Sequence, residues 1–438
     1  MQGPFGGSRR GTPLPGGLSL RDAIQRGLEY NLGIVGLQTA VGQARGQRLT
    51  ARAALLPNTM ADLTQTVQQL NLAAMGFRFS LPIAGFSFPS VVGPFSYVDV
   101  RARVSQAVVD LSALNNYRAA RENLASNELS AEDARSLVVQ AVGGTYLQTV
   151  AAAGRVRSAR AQLETANVLY RQNAERRAVG LVAQVDVDRS QVQALTQQQR
   201  VTALQNDFAK QKINLARMIG IPPTDAYELL DDVPFAAAPL LSVDEALRQA
   251  RESQADRKAA EAHVRAADHS LAAARAARLP SVSVNADYGA IGPTLPDARG
   301  TFSVIGTVRV PIWQGGRVEA GVLQAEATAT QRRAELEDLD AQIEADVRKA
   351  DLDLRAAASQ VDVAEQNLRV ARETLDLTRQ RFDAGVSDNV EVVQAQESVA
   401  NAALDQVNAV FAHNLAKLAL SRAIGQSPER VSEVLTLR

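Results

Sequence analysis

The run VRKADLDLRAAASQVDVAEQNLRVARETLDLTRQRF, residues 347–382, decides the fold. Its apolar residues return at spacings of three and four: Val347, Ala350, Leu354, Ala357, Val361, Ala364, Leu368, Ala371, Leu375 and Phe382. An α-helix keeps such a seven-residue rhythm on one face only by supercoiling gently around a neighbour. Alanine at one of the two seam positions lets the neighbouring backbones come close. The chain then repeats itself. A shift of 205 positions carries Val142 onto Val347, Ala152 onto Ala357, Val156 onto Val361, Ala159 onto Ala364, Leu163 onto Leu368 and Ala166 onto Ala371. The same shift carries Gly180 onto Gly385 and Ile219-Gly220 onto Ile424-Gly425. A match without gaps over residues 142–220 marks a duplicated structural unit. Each copy reads as a long helix, a sharp turn at Ala178-Val179-Gly180 or Asp383-Ala384-Gly385, and a second helix returning antiparallel.

The 438 residues are therefore one object built from two similar halves. Net charge is zero and the charges are interspersed, with no basic run, so nucleic acid is not an expected partner. Cysteine is absent, which excludes disulfides, thiol catalysis and thiolate metal sites. Neither of the long uncharged windows suits a transmembrane helix. Residues 136–154 contain Gln140, Gly143, Gly144, Thr145 and Gln148, and residues 79–98 are broken by Pro82, Pro89 and Pro94. The opening Met-Gln-Gly-Pro-Phe-Gly-Gly carries no apolar signal-peptide core, and a processed form of an exported chain is the expectation.

Residues 1–17, rich in Gly, Pro and Ser/Thr, read as a flexible lead-in. The first repeat spans 18–220 and the second 242–425. A linker follows the first (221–241), with Pro222, Pro223 and Pro234, and a C-terminal segment follows the second (426–438). Each repeat opens on a capped helix. Ser19 with Asp22 begins one that runs to Leu56 and stops at Pro57; Ser242 with Glu245 begins one that stops at Pro280. The shift between these two segments is 223 residues.

The period then changes to two. Val98, Val100, Ala102 and Val104 alternate with Asp99, Arg101, Arg103 and Ser105. Val282, Val284, Ala286 and Tyr288 do the same, as do Phe302, Val304, Val308 and Val310, and less cleanly Ala61, Leu63, Gln65 and Val67. These are four strands in two hairpins, 58–107 and 281–312, each with one apolar and one polar face. Their connections are a long loop over 72–96 and a shorter one over 289–300. Each strand is about as long as a tilted bilayer span requires, and four cannot close a barrel alone. Open edges facing lipid would leave backbone groups unpaired, so further copies of the chain are needed.

The long helices, 112–178 and 316–383, extend about 100 Å at 1.5 Å per residue. Two shorter helices, such as 20–56 and 186–220, reach about the same length end to end. One long helix can thus lie beside two stacked short ones, with strands at one end, the hairpin turn at the other and the linker around the middle. The fold expected is mainly α with a small β part.

With this plan the chain resembles the TolC-like outer-membrane efflux channels (outer membrane factors) over residues 18–430. The resemblance is carried by the doubled order of helix, two strands, long helix, tip and helix. It is also carried by AVGLVAQVDV (178–187), RFDAGVSDNVEV (381–392) and VPIWQGGR (310–317). It implies a homotrimer, with a twelve-stranded transmembrane β-barrel in the outer membrane and a periplasmic α-barrel of helical hairpins narrowed at its tips. It further implies docking on a periplasmic adaptor and an inner-membrane transporter, and efflux of small molecules or secretion of polypeptides.

In that family acidic rings and polar links near the tips hold the tunnel shut. The matching positions here are Asp186, Phe382, Ser387, Asp388, Glu391 and Gln394. Phe382 stands where the best-known member has Tyr, Ser387 where it has Arg, and Gln394 where it has a second acidic residue. One acidic ring, at Glu391, is therefore expected, with part of the familiar latch missing. Three carboxylates around a threefold axis would repel one another and favour cations. Adaptor contact is expected at the tip turns (178–186 and 383–389) through Val179, Gly180, Leu181 and Val182, and through Ala384, Gly385 and Val386. Pro311, Trp313, Gly315 and Gly316 suit a barrel-to-helix corner.

Plainer readings stand beside these. A carboxylate in the first turn of a helix, as at Asp186 and Glu391, also serves the helix N-terminus. Gly180 and Gly385 are αL turn residues on any reading, and Pro311 and Trp313 could be core packing. His263, His269 and His413 have no ligand spacing, so neither metal nor cofactor is expected. Gly143-Gly144 and Gly315-Gly316 lack the Lys-Ser/Thr of a phosphate loop. No catalytic constellation is present and the chain is not read as an enzyme. The rival function is a soluble coiled-coil scaffold.

Overall fold

The computed structural model describes residues 7–12, 14, 16–76, 89–222, 227–231, 235–236 and 241–426. Pro223, Pro234, the loop residues 77–88 and the tail 427–438 lie outside them. The chain divides into two compact units. One, largely helical, takes the described residues up to Gly42, Ser126–Glu261 and those from Ala334; the other, carrying the main sheet, takes Gln43–Ala125 and Ala262–Arg333.

In the first repeat the helices are α1 (Leu20–Tyr30), α2 (Leu32–Ala53), α3 (Leu111–Ala178) and α4 (Gln184–Met218). In the second they are α5 (Val243–Ser253), α6 (Ala255–Ala276), α7 (Arg317–Asp383) and α8 (Asn389–Ala423). The seven-residue seam of α7 is buried from Val347 to Leu375, with Phe382 half-buried. Against its far end pack Val392, Ala395, Val399 and Ala403 of α8 and Leu169 of α3. The pair Gly143-Gly144 lies inside α3, where α8 crosses closely. A Cβ on Gly143 would stand 3.1 Å from Leu418, and one on Gly144 3.4 Å from Leu415. Close packing, rather than phosphate, accounts for these glycines.

The opening helix of each repeat is broken, where the sequence reads as continuous. Ser19 and Ser242 form capping boxes with Asp22 and Glu245. A single extended residue then interrupts each helix, Asn31 in one and Gln254 in the other. These two positions are related by the same 223-residue shift. Each break has a partner from outside its own helices. Asn31 accepts from Gly33 N at 2.9 Å and pairs with Ser8, while Gln254 donates to the carbonyl of Ala423 at 2.5 Å. The helices end at Ala53 and Ala276, short of the prolines.

The opening segment, read as flexible, is docked where it is described. Strand β1 (Gly16–Leu18) runs parallel to β4 (Tyr227–Leu229) from the linker. Gly11 N donates to Gly220 O at 2.9 Å, and Ser8 to Arg217 O at 2.5 Å. Tyr146 of α3, fully buried, donates to Leu18 O at 3.0 Å and Asp231 at 2.9 Å. Burial, then the bond to Asp231, pushes its phenol far above the ordinary range, so it remains a neutral donor. Tyr146→Phe is expected to cost about 1 kcal/mol by removing one donor from Leu18 O and Asp231, which keep their bonds from Leu230 N and Leu20 N. A lowered thermal midpoint with unchanged helix content would report it.

The main sheet has the order β2-β3-β5-β6, antiparallel throughout. Its strands are β2 (Asn58–Asn71), β3 (Val91–Val109), β5 (Ser281–Gly292) and β6 (Arg299–Arg309). Their bounds differ from those expected: residues 91–96, read as loop, belong to β3, the second connection shrinks to 293–298, and β6 stops at Arg309, before Val310. Register places Leu63, Val100 and Ala290 in one row across the sheet, and Ala61, Ala102, Tyr288 and Phe302 in the next. That face is open: Phe302 is 77% exposed, Leu63 70% and Val304 68%.

Every charged residue of these strands lies on the opposite face: Asp62, Asp99, Arg101, Arg103, Asp287, Arg299 and Arg309. A polar ladder crosses all four strands there. Arg103 meets Asp62 at 2.6 Å, Arg101 bridges Asp99 at 3.2 Å and also Asp287, and Ser303 donates to Asp287.

Candidate functional site

The two hairpin turns are built alike. After α3 and α7, Gly180 (φ 76°) and Gly385 (φ 74°) adopt the left-handed conformation open to glycine. Gly180 N donates to Arg177 O at 3.0 Å and Leu181 N to Arg176 O at 2.9 Å; Gly385 and Val386 repeat this onto Phe382 and Arg381. This is the Schellman closure of a helix end. It leaves Val179, Leu181 and Val386 more than two-thirds exposed, with Gly180, Ala384 and Gly385 also exposed and Val182 half-buried. Each tip therefore presents apolar side chains to solvent on a hydrogen-bonded turn.

Behind the tips the two hairpins are tied together. Arg176, at the end of α3, meets Asp383, at the end of α7, at 2.6 Å, and its guanidinium lies 5.3 Å from the centre of the Phe382 ring. Asn389, almost wholly buried at the start of α8, donates to the backbone carbonyl of Asp186 at 3.0 Å. These contacts join residues of the first repeat to the second.

The acidic residues take different places. Asp388 is the N-cap of α8, accepting from Val390 N at 3.0 Å and Glu391 N at 3.2 Å. Glu391 is exposed, held by Ser387 at 2.6 Å and by Arg381 at 3.3 Å. Asp186 is half-buried in the first turn of α4, 3.6 Å from Arg189. Gln394 is exposed one turn beyond Glu391. So the structure gathers Asp186, Phe382, Ser387, Asp388 and Glu391 around the paired turns, with Asp388 serving as a cap. Nothing local in the sequence marks Arg176, Asp383 and Asn389 as links between the tips, although the 205-residue shift sets Arg176 on Arg381.

In the sheet-bearing unit, residues 310–316 carry no regular structure and lead β6 into α7. Gly315 (φ 62°) and Gly316 (φ 79°) turn the chain, and Gln314 accepts from Arg317 at 2.7 Å. Ile312 is 95% exposed and Trp313 86%, so Trp313 is not core packing within the chain. Pro311, half-buried, occupies the exit of the strand.

A mostly helical chain with doubled hairpins and a small one-sided sheet is the fold of outer-membrane channels. VceC of Vibrio cholerae superposes with a TM-score of 0.77 at 20% identity, over 93% of this chain and 96% of that one. The CmeC channel of Campylobacter jejuni gives 0.78 at 17% identity, over 95% and 89%. Residues 246–426 match the family model for outer membrane efflux proteins. Over those residues the chain is similar to outer membrane efflux proteins, and over nearly its whole length it shares the fold of solved outer-membrane channels. Among relatives, the pyoverdine export outer membrane protein OpmQ of Pseudomonas putida is 24% identical over 393 residues, 88% of this chain and 81% of that protein. Outer membrane protein OprJ of Pseudomonas aeruginosa is 26% identical over 415 residues, 93% of this chain and 84% of that protein.

Proposed function

We propose that three copies of this chain form an outer-membrane exit duct whose periplasmic tips are the gate, passing small molecules or polypeptides outward on behalf of a pump. The observation that carries the proposal is the sheet. Its charges all lie on one face, most of its large apolar side chains are open on the other (Met60 and Ile305 are exceptions), and β2 and β6 are its edges. An apolar face belongs against lipid, a charged one against water, and only closure satisfies the edges. Twelve strands from three chains achieve this. A soluble scaffold has no use for such a sheet. Extraction tests the reading: the protein should require detergent and migrate as a trimer, and a monomer stable in plain buffer would refute it.

The tips supply the gate and the docking surface for a periplasmic adaptor, which would link the duct to an inner-membrane transporter. Val179, Leu181 and Val386 are apolar and exposed on hydrogen-bonded turns, as a contact surface requires. Glu391 is the acidic position that can form a ring. In planar bilayers, Glu391→Ala is expected to lower the preference for cations over anions several-fold. An unaltered reversal potential in a salt gradient would remove Glu391 from the constriction.

A further inference from the structure

Away from the tips, the helical unit contains a recess of about 410 Å³ bounded by α3, α7, α8 and the break between α5 and α6. Its walls include Gln254, Asp256, Asp346, Lys349, Asp353 and Arg422. The volume is that of a small-ligand site. Both cations are already paired, Lys349 with a carboxylate of the recess wall itself. Arg422 is held by Asp133 at 2.6 Å, and Lys349 extends into solvent 3.8 Å from Asp346. Asp256 and Asp353 have no ion-pair partner among the described residues.

The second observation is Gln254 itself. Only 5% exposed, it gives its amide N–H to Ala423 O, while its carbonyl Oε1 is buried in the recess wall without a donor. An unbonded buried carbonyl is costly, and an N–H group is what would satisfy it. Burial raises the Asp133 carboxyl against the pull of Arg422, with a smaller push from Asp256. No three carboxylates or imidazoles among the described residues converge as a metal site would require. The acceptors are instead spread along the recess.

We propose that this recess binds a small organic cation with ammonium groups spaced along a flexible chain, a di- or polyamine. One ammonium would sit at Asp256, with the Gln254 side chain turning its carbonyl toward it, and a second at Asp353. Such a ligand brings several N–H donors and distributed positive charge, which matches the unmet acceptors where a compact metal ion does not.

Spermidine is the probe, titrated calorimetrically into the full-length protein in detergent. Saturable binding at one site per chain is expected, weakening as sodium chloride is raised. The neutral triethylene glycol should not bind. Asp256→Asn with Asp353→Asn should lower the affinity about tenfold or more. If Asp256→Asn disturbs the start of α6, the single Asp353→Asn on the exposed surface of α7 carries the test. Absence of spermidine uptake by the wild type overturns the proposal, as does equal affinity in wild type and a folded variant. Neither outcome bears on conductance, so the channel reading stands or falls separately.

Discussion

Arg176→Ala is expected to raise the open fraction of the channel roughly a hundredfold at low ionic strength. The side chain makes two contacts across the tips, the pair with Asp383 and the stacking on Phe382. Because Asp383 is well exposed, the ion pair is worth a fraction of a kcal/mol after screening, and the cation–π contact contributes a similar amount. Together they hold the hairpins by about 1 kcal/mol per chain, or about 3 kcal/mol if three chains open in concert. That corresponds to about two powers of ten in the ratio of open to closed states. Single-channel recording measures it directly. The difference should shrink in 1 M salt, where the Debye length falls to about 3 Å. Asp383→Ala should reproduce part of the effect. Wild-type conductance in both variants would mean that these contacts do not hold the gate.

A second substitution should abolish the assembled protein while leaving its helices intact. Val304 lies on the uncharged face of β6, 68% exposed and in register with Ala286. Arginine on a lipid-facing strand near mid-membrane costs about 2–4 kcal/mol, and a trimer incurs it three times. Val304→Arg should therefore eliminate outer-membrane trimer, read as loss of the detergent-extracted oligomer. Ser303→Arg, one residue along on the charged face, is the control and should assemble. Equal assembly of both variants would show that the two faces are not divided between lipid and water.

The parts of this fold that were legible are those with local causes. The seam from Val347 to Leu375 can be read because each apolar residue meets its neighbours within two turns, and period two exposed both faces of the strands. The breaks at Asn31 and Gln254 were not legible. Helix-forming residues surround both, and what stabilises the second is a carbonyl at Ala423, far along the chain. The tip links fail for the same reason, since Arg176 and Asp383 are separated by 207 positions. Asp388 shows a different limit: a carboxylate before a helix serves equally as cap or pore ring, and only the bonds to Val390 and Glu391 identify the cap.

The middle of the main sheet also constrains how the molecule can be made. Strand β3 pairs with β5, and the bridge from Arg101 to Asp287 spans 186 positions. The first hairpin must therefore wait, with one long edge unfilled, until most of the polypeptide has been synthesised. Contacts this remote in sequence close slowly and expose sticky intermediates in the interim. Biogenesis rather than final stability should then be the vulnerable stage, and a holdase that shields nascent β3 should raise yield more than any change that strengthens the finished barrel.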